Sequence, residues 1–179
     1  GRFPRLDRWT TMRGMAPGRG RWRSAIRQGG TTVPNTVRLH RVLATRPEKV
    51  YRAFLEPDAL AKWLPPNGFV CTVDHLEAKV GGTFRMAFRN FTTGNSTAFH
   101  GRYLELVPGE RLRYTDAFED PNLPGEIQVT VTLKKVLVGT EIDIVQSNLP
   151  HVIPPEACYL GWQESLRNLA RLVEPEITQ

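Results

Sequence analysis

Only two cysteines, Cys71 and Cys158, occur in 179 residues. That is too few to staple a chain of this size, which excludes a disulfide framework as its main source of stability. No stretch approaches the roughly 18 consecutive apolar residues of a membrane span. No N-terminal apolar segment leads into a cleavage pattern. Together these absences give the expectation of a reduced, cytoplasmic protein with no membrane partner. Histidine is scarce as well: His40, His75, His100 and His151 are too dispersed along the chain for any metal-ligand spacing. A nucleophile elbow and a phosphate-binding glycine loop are both missing, and Gly81-Gly82 precedes no helix that could hold a phosphate. The expectation is no cofactor, no metal, and a function leaning away from enzyme catalysis.

Charge is present but unevenly placed. The formal net charge is +6, a value that invites a nucleic-acid reading. Residues 1–34 carry eight Arg and one acid, Asp7, for a net of +7, which leaves −1 for the remainder. The excess belongs to a tail, so no nucleic-acid partner is expected for the folded part. That tail, rich in Arg and Gly and without helical or strand period, reads as a disordered arm. A mis-assigned start (Met12 and Met15 lie within it), a weak tether to nucleic acid or an anionic membrane, and an organelle presequence all fit it.

From Asn35 onward a pattern appears. Val37, Leu39 and Leu43 alternate in phase, predicting a first strand over 36–44. Thr45-Arg46-Pro47-Glu48 offers a capping box for a short helix carrying Val50, Tyr51 and Phe54. Glu56-Pro57-Asp58 restarts a second, faced by Leu60, Trp63 and Leu64 and stopped by Pro65-Pro66. Strand signals follow at 68–76, 83–91, 97–106, 110–118, 126–136 and 140–147, punctuated by glycine-containing turns, as in an antiparallel meander. After Pro154-Pro155, the residues Tyr159, Trp162, Leu166, Leu169 and Val173 step by three and four, predicting an amphipathic helix of about five turns. A lone antiparallel sheet has one face to cover, and only this helix is long enough to cross it.

Several ordered segments carry a family resemblance. They are Arg46-Pro47-Glu48-Lys49-Val50-Tyr51-Arg52-Ala53-Phe54 with Pro57, Leu60 and Lys62-Trp63; Gly81-Gly82-Thr83-Phe84-Arg85-Met86; His100-Gly101-Arg102-Tyr103-Leu104-Glu105; Pro108-Gly109-Glu110-Arg111-Leu112; and Gly161-Trp162 with Leu166 and Leu169. The set resembles the START-like (SRPBCC) superfamily and, more narrowly, the activator of heat-shock-protein-90 ATPase homologue family, over about 35–174. The resemblance implies an α+β helix-grip (START/Bet v-like) fold: a curved antiparallel sheet of about seven strands, two short helices and a long C-terminal helix around an internal cavity. Relatives carry lipids, hormones, polyketides or aromatic compounds, and a minority catalyse cyclisation, dehydration or hydrolysis. The eukaryotic activator has an additional chaperone-binding domain, which residues 1–34 could not supply.

The residues offer candidates for a cavity. Phe84, Met86 and Phe88 share one face of a strand, Tyr114 and Phe118 share another, and Trp63, Trp162 and Leu166 come from helices. Such side chains suit a flat apolar ligand, and equally suit an ordinary core. His100 either faces the cavity as an acid or base or pairs on the outer face. Arg41 keeps the apolar phase of its strand, where it serves a ligand carboxylate or phenolate, pairs with Glu77 or Glu105, or reaches solvent at the rim. Cys158, opening the last helix, is either a lowered-pKa thiolate or inert. Asp116, Glu119 and Asp120 read as a solvated turn, a glycosidase-like carboxylate pair or a cation site. The expected partner is a small hydrophobic ligand, with a homodimer left open. The leading expectation is binding or sequestration; the alternatives are a cyclase- or hydrolase-type enzyme and a chaperone-associated interaction domain.

Overall fold

The computed structural model describes residues 35–178; the basic tail expected at 1–34 lies outside the described residues. Among them run, in order, β1 (Val37–Leu43), α1 (Pro47–Ala53), α2 (Pro57–Trp63), β2 (Phe69–Leu76), β3 (Thr83–Asn90), β4 (Ser96–Val107), β5 (Arg111–Phe118), β6 (Ile127–Val136), β7 (Gly139–Ser147) and α3 (Pro155–Val173). The strands form one seven-stranded sheet in the order β1-β7-β6-β5-β4-β3-β2, every neighbouring pair antiparallel. From β2 to β7 the chain is a meander. The two short helices carry it from one sheet edge, β1, to the other, β2.

Alternation explains which face is covered. In β6, Ile127, Val129, Val131 and Leu133 are buried while Gln128, Thr132 and Lys134 are exposed, the period-two signature of a half-buried sheet. The outer face is polar, carrying Arg38, His40, His100, Arg102, Arg113 and Asp143. The register shifts between Val73 and His75 in β2 and between Tyr103 and Glu105 in β4. Such bulges bend the strand that carries them and strengthen its twist, which curls the sheet around its concave side. Gly101 of β4 marks a close approach. A Cβ there would run into the Thr115 carbonyl and the Phe84 ring, so the Phe84 ring packs over the bare backbone.

The first helix starts one residue later than a capping box requires. Arg46 is the N-cap, no side chain caps it, and Pro47 opens the helix. Thr45 therefore lies outside the helix; its carbonyl accepts a 2.6 Å hydrogen bond from Thr140 Oγ1, tying α1 to β7. Trp63 at the end of α2 is completely buried. Its indole N–H donates to the Ala53 carbonyl at 2.8 Å, and its ring stands edge-on to Phe54 at 4.8 Å.

The buried stripe of α3 is Cys158, Gly161, Ser165, Leu166, Leu169, Ala170 and Val173. Tyr159, expected on that stripe, is exposed. Leu166, Leu169 and Val173 keep their expected place, while in the first half Cys158 and Gly161 are buried in place of Tyr159 and Trp162, so the face is small in its first half and large in its second. The larger second half packs on β1 and the short helices. No helix among the described residues is long and apolar enough to cross a membrane.

Candidate functional site

Where the first half of α3 passes over the sheet, its small side chains fail to fill the concavity. Cys158, Gly161 and Ser165 face β3, β4 and β5 across a cavity of about 90 Å³. The sheet wall is aromatic. Phe84 stands 5.5 Å from Tyr103 and 5.8 Å from Tyr114, and the two tyrosine rings are 6.1 Å apart; Phe88 meets Phe99 edge-on at 4.9 Å. Phe69, Phe88, Phe118 and Trp162 in the lining are only half-buried, so the cavity opens to solvent on their side. Polar groups on the helix side are already engaged. Ser165 Oγ donates to the Leu64 carbonyl at 2.6 Å, and Trp162 Nε1 donates to Gln146 Oε1 at 2.9 Å.

One lining oxygen is buried without a partner. Asp116 sits between Tyr114 and Phe118 on the inward phase of β5, and its Oδ1 is buried with no hydrogen bond. Burial pushes its carboxyl up to about 7, partly opposed by a hydrogen bond from the Ala117 backbone N–H. Burial, with the nearby Asp116 charge and Tyr103, also pushes the Tyr114 phenol well above its ordinary value. Desolvation penalises the charged form of each group, and the lining includes no Lys, Arg or His to compensate. Sequence reasoning passed over Asp116 by grouping it with Glu119 and Asp120. The signal was present: it keeps the period-two phase of Tyr114 and Phe118.

The structure separates that acidic trio. Glu119 lies on the outer face, where it takes both ends of the Arg85 guanidinium at 2.7 and 2.9 Å, with Asp74 as a further Arg85 partner. Asp120 folds back on Asn122 in a turn. His100 belongs to the outer group: it is exposed, 3.8 Å from Glu119, because it lies one residue out of phase with inward Phe99 and Gly101. Of the other expected cavity residues, Phe84, Met86, Phe88, Tyr114, Phe118 and Trp162 line the space. Trp63 and Leu166 are buried in the core outside the lining, taken up by helix packing. Arg41 is half-buried on β1, also outside the lining. Neither suggested ion-pair partner reaches it: Glu77 pairs with Lys79, and Glu105 with Arg111 and Arg113.

Burial pushes both thiols up to about 12, with the Asp74 charge contributing at Cys71. At Cys158 burial alone sets the shift, which favours the thiol over a thiolate. The native protein at pH 8 is expected to alkylate with iodoacetamide at least about a hundredfold more slowly than in urea. Time-resolved mass spectrometry checks this, and rapid labelling of Cys158 in native protein would contradict its protonated, buried state. Pairing of β1 with β7 creates one cluster invisible in the sequence spacing: His40 lies 3.0 Å from Asp143 and 3.6 Å from Glu141. These three side chains, His40 and Asp143 exposed and Glu141 half-buried, are close enough to hold a cation, and none of them lines the cavity.

The geometry can be set beside known proteins. The family model described as "Activator of Hsp90 ATPase homolog 1-like protein" matches residues 44–174. A solved structure from Chromobacterium violaceum is 60% identical with a TM-score of 0.79, covering 79% of this chain and 99% of its own. One from Rhodobacter sphaeroides is 24% identical with a TM-score of 0.70, covering 81% and 94%. A Staphylococcus epidermidis protein shares the fold at 18% identity and a TM-score of 0.68, covering 83% and 98%. No curated protein matches the chain. The matched segment begins just after β1 and runs through α3, so six of the seven strands and the covering helix lie within it. The chain belongs to the Activator of Hsp90 ATPase homolog 1-like protein family.

Proposed function

We propose that this domain binds a small, mainly apolar ligand in the cavity between α3 and the curled sheet, in a cytoplasmic setting. The supporting observation is the pairing of a small-residue helix face, Cys158, Gly161 and Ser165, with an aromatic sheet wall. A helix meant only to complete a core would carry large side chains there, as its own second half does. The polar outer face of the sheet argues against an apolar protein-docking surface on that side. The enclosed space of about 90 Å³ is smaller than the ~150 Å³ apolar cavity that accepts benzene. An aromatic guest thus requires the half-buried rings at the mouth to swing outward. Burying six or seven methylene-sized groups contributes about 5 kcal/mol before ordering costs, which points to dissociation constants near or above ~0.1 mM.

The test is a chemical-shift titration of the isotope-labelled chain with toluene and indole. Resonances of Phe84, Tyr114 and Trp162 are expected to move saturably. Gly161→Leu, which fills the space from the helix, is expected to weaken binding at least tenfold while its Tm shows that the fold survives. Absence of saturable shifts in the wild type, or undiminished binding in the filled variant, would rule the cavity out. A second reading rests on Asp116 and Tyr114. A carboxyl that titrates near neutrality beside a phenol suits general acid–base chemistry on a bound hydrophobic substrate.

A further inference from the structure

The charged and polar groups of the cavity are out of balance. Four titratable side chains line the cavity: Asp116 and Tyr114 from β5, Tyr103 from β4 and Cys158 from α3. Burial raises the pKa of all four, which leaves both phenols and the thiol uncharged at neutral pH. Opposite Asp116 in the register is Ile127 of β6, and the charged pair nearest in sequence, Arg85 with Glu119, sits on the other face of the sheet. The carboxylate therefore has neither a cation nor a hydrogen-bond donor for Oδ1, although buried polar groups are ordinarily paired. Phe84, Tyr103 and Tyr114, whose rings lie 5.5 to 6.1 Å from one another, line the same cavity, and aromatic ring faces attract a cation. A half-buried acid with one buried, unpartnered oxygen, in an aromatic-lined cavity that holds no counter-charge, has the composition of a receptor for a cation supplied from outside.

We propose that the cavity selects a guest carrying one protonated amine on a compact apolar body, its ammonium seated between Asp116 and the surrounding aromatic faces. This rests on the cavity-binding reading above and adds the sign and class of the ligand's polar group. An alcohol would satisfy the oxygen without neutralising the carboxylate, and an anion would meet a like charge. The small volume restricts the apolar body to a few carbons unless the mouth opens. Binding is proton-linked: the ammonium needs the ionised form of Asp116, so affinity falls as acid protonates the carboxyl.

The full-length chain, isotope-labelled, is titrated at pH 8 with n-butylamine, n-butanol and butyrate, which share a skeleton and differ in charge. Cavity resonances are followed. Butylamine is expected to saturate at a concentration at least tenfold lower than butanol, with butyrate the weakest. Lowering the pH from 8 to 6 is expected to shrink the amine's advantage severalfold while butanol binding stays level; this comparison needs no variant. In Asp116→Asn the amine-to-alcohol ratio is expected to fall to near one. Equal binding of butylamine and butanol by the wild type, a butyrate preference, or an amine advantage that persists in Asp116→Asn would each overturn the amine assignment. All three leave the cavity standing as a binding site. If none of the three compounds moves a cavity resonance, the amine proposal and the cavity reading fall together.

Discussion

Replacing Asp116 by leucine is expected to stabilise the protein at pH 8 and to remove most of the pH dependence of its stability between pH 5 and 8. The sign follows from where the proton is held. In the folded chain the carboxyl titrates near 7, against 3.8 as its ordinary value. Between those values the folded state keeps a proton that the unfolded chain has released, so stability is greatest below about pH 4 and falls as pH rises toward 7. The full slope is about 1.4 kcal/mol per pH unit, so the wild type loses up to about 3 kcal/mol from pH 5 to 8. Glu119 works in the opposite sense, because its hydrogen bonds to Arg85 lower its pKa. Its contribution is present above the ordinary carboxylate range and is lost in stronger acid, outside the window in which Asp116 acts. Leucine keeps the inward phase of β5 and leaves no charge in the cavity, and swapping a buried charge for a packed apolar group commonly stabilises. Urea midpoints at pH 5, 6, 7 and 8 for both proteins measure this; parallel curves would mean that the Asp116 carboxyl is solvated. The gain in stability is expected to coincide with loss of any ligand that uses the carboxylate, the trade that functional sites commonly show.

Gly101→Val is expected to cost about 3 kcal/mol or more and to lower the Tm by roughly 10 °C. The reason is a backbone obstacle. The first atom of any side chain at this position meets the Thr115 carbonyl of the neighbouring strand and the Phe84 ring, and a carbonyl within a sheet ladder cannot swing aside. Relief would require β4 to move away from β5, displacing Phe84, Tyr103 and Tyr114 together. Ligand binding is thus expected to fall along with stability. Gly125→Ala supplies the contrast: Gly125 adopts φ +110 but has open space around its Cβ position, so only backbone strain of about 1–3 kcal/mol is at stake. Thermal melts of the two variants separate the effects. A Gly101→Val protein melting within a few degrees of wild type would show that the two strands are not pressed together there.

Much of this architecture is legible in the residue pattern, and the exceptions are instructive. Strand ends came within a residue of the observed ones because turn glycines and alternating burial are local signals. Five of the side chains placed at the cavity, Phe84, Met86, Phe88, Tyr114 and Phe118, were legible because inward phase on a strand can be counted, and Trp162 was legible from helical spacing. His100 could not be placed by residue type alone, since a histidine suits either face; its neighbours Phe99 and Gly101 decide which. Arg41 kept the inward phase, yet its half-buried position at the sheet edge leaves it outside the lining. Trp63 and Leu166 carry the right chemistry for a pocket but are consumed by packing between helices, which depends on elements far apart in the chain. Asp116 shows the converse: its polarity suggested a turn, and its phase placed it inside.

By itself the sequence determined the order and type of elements, the neutral character of the domain beside its basic tail, and the family to which it belongs. These follow from short-range rules of periodicity, turn chemistry and composition. Only the tertiary structure decided that β1 closes on β7, that the small half of α3 lies over the aromatic wall, and that a carboxylate remains unpaired within. Those outcomes depend on the curl of the sheet and the rotation of one helix, and therefore on which distant side chains are brought within a few ångströms of each other.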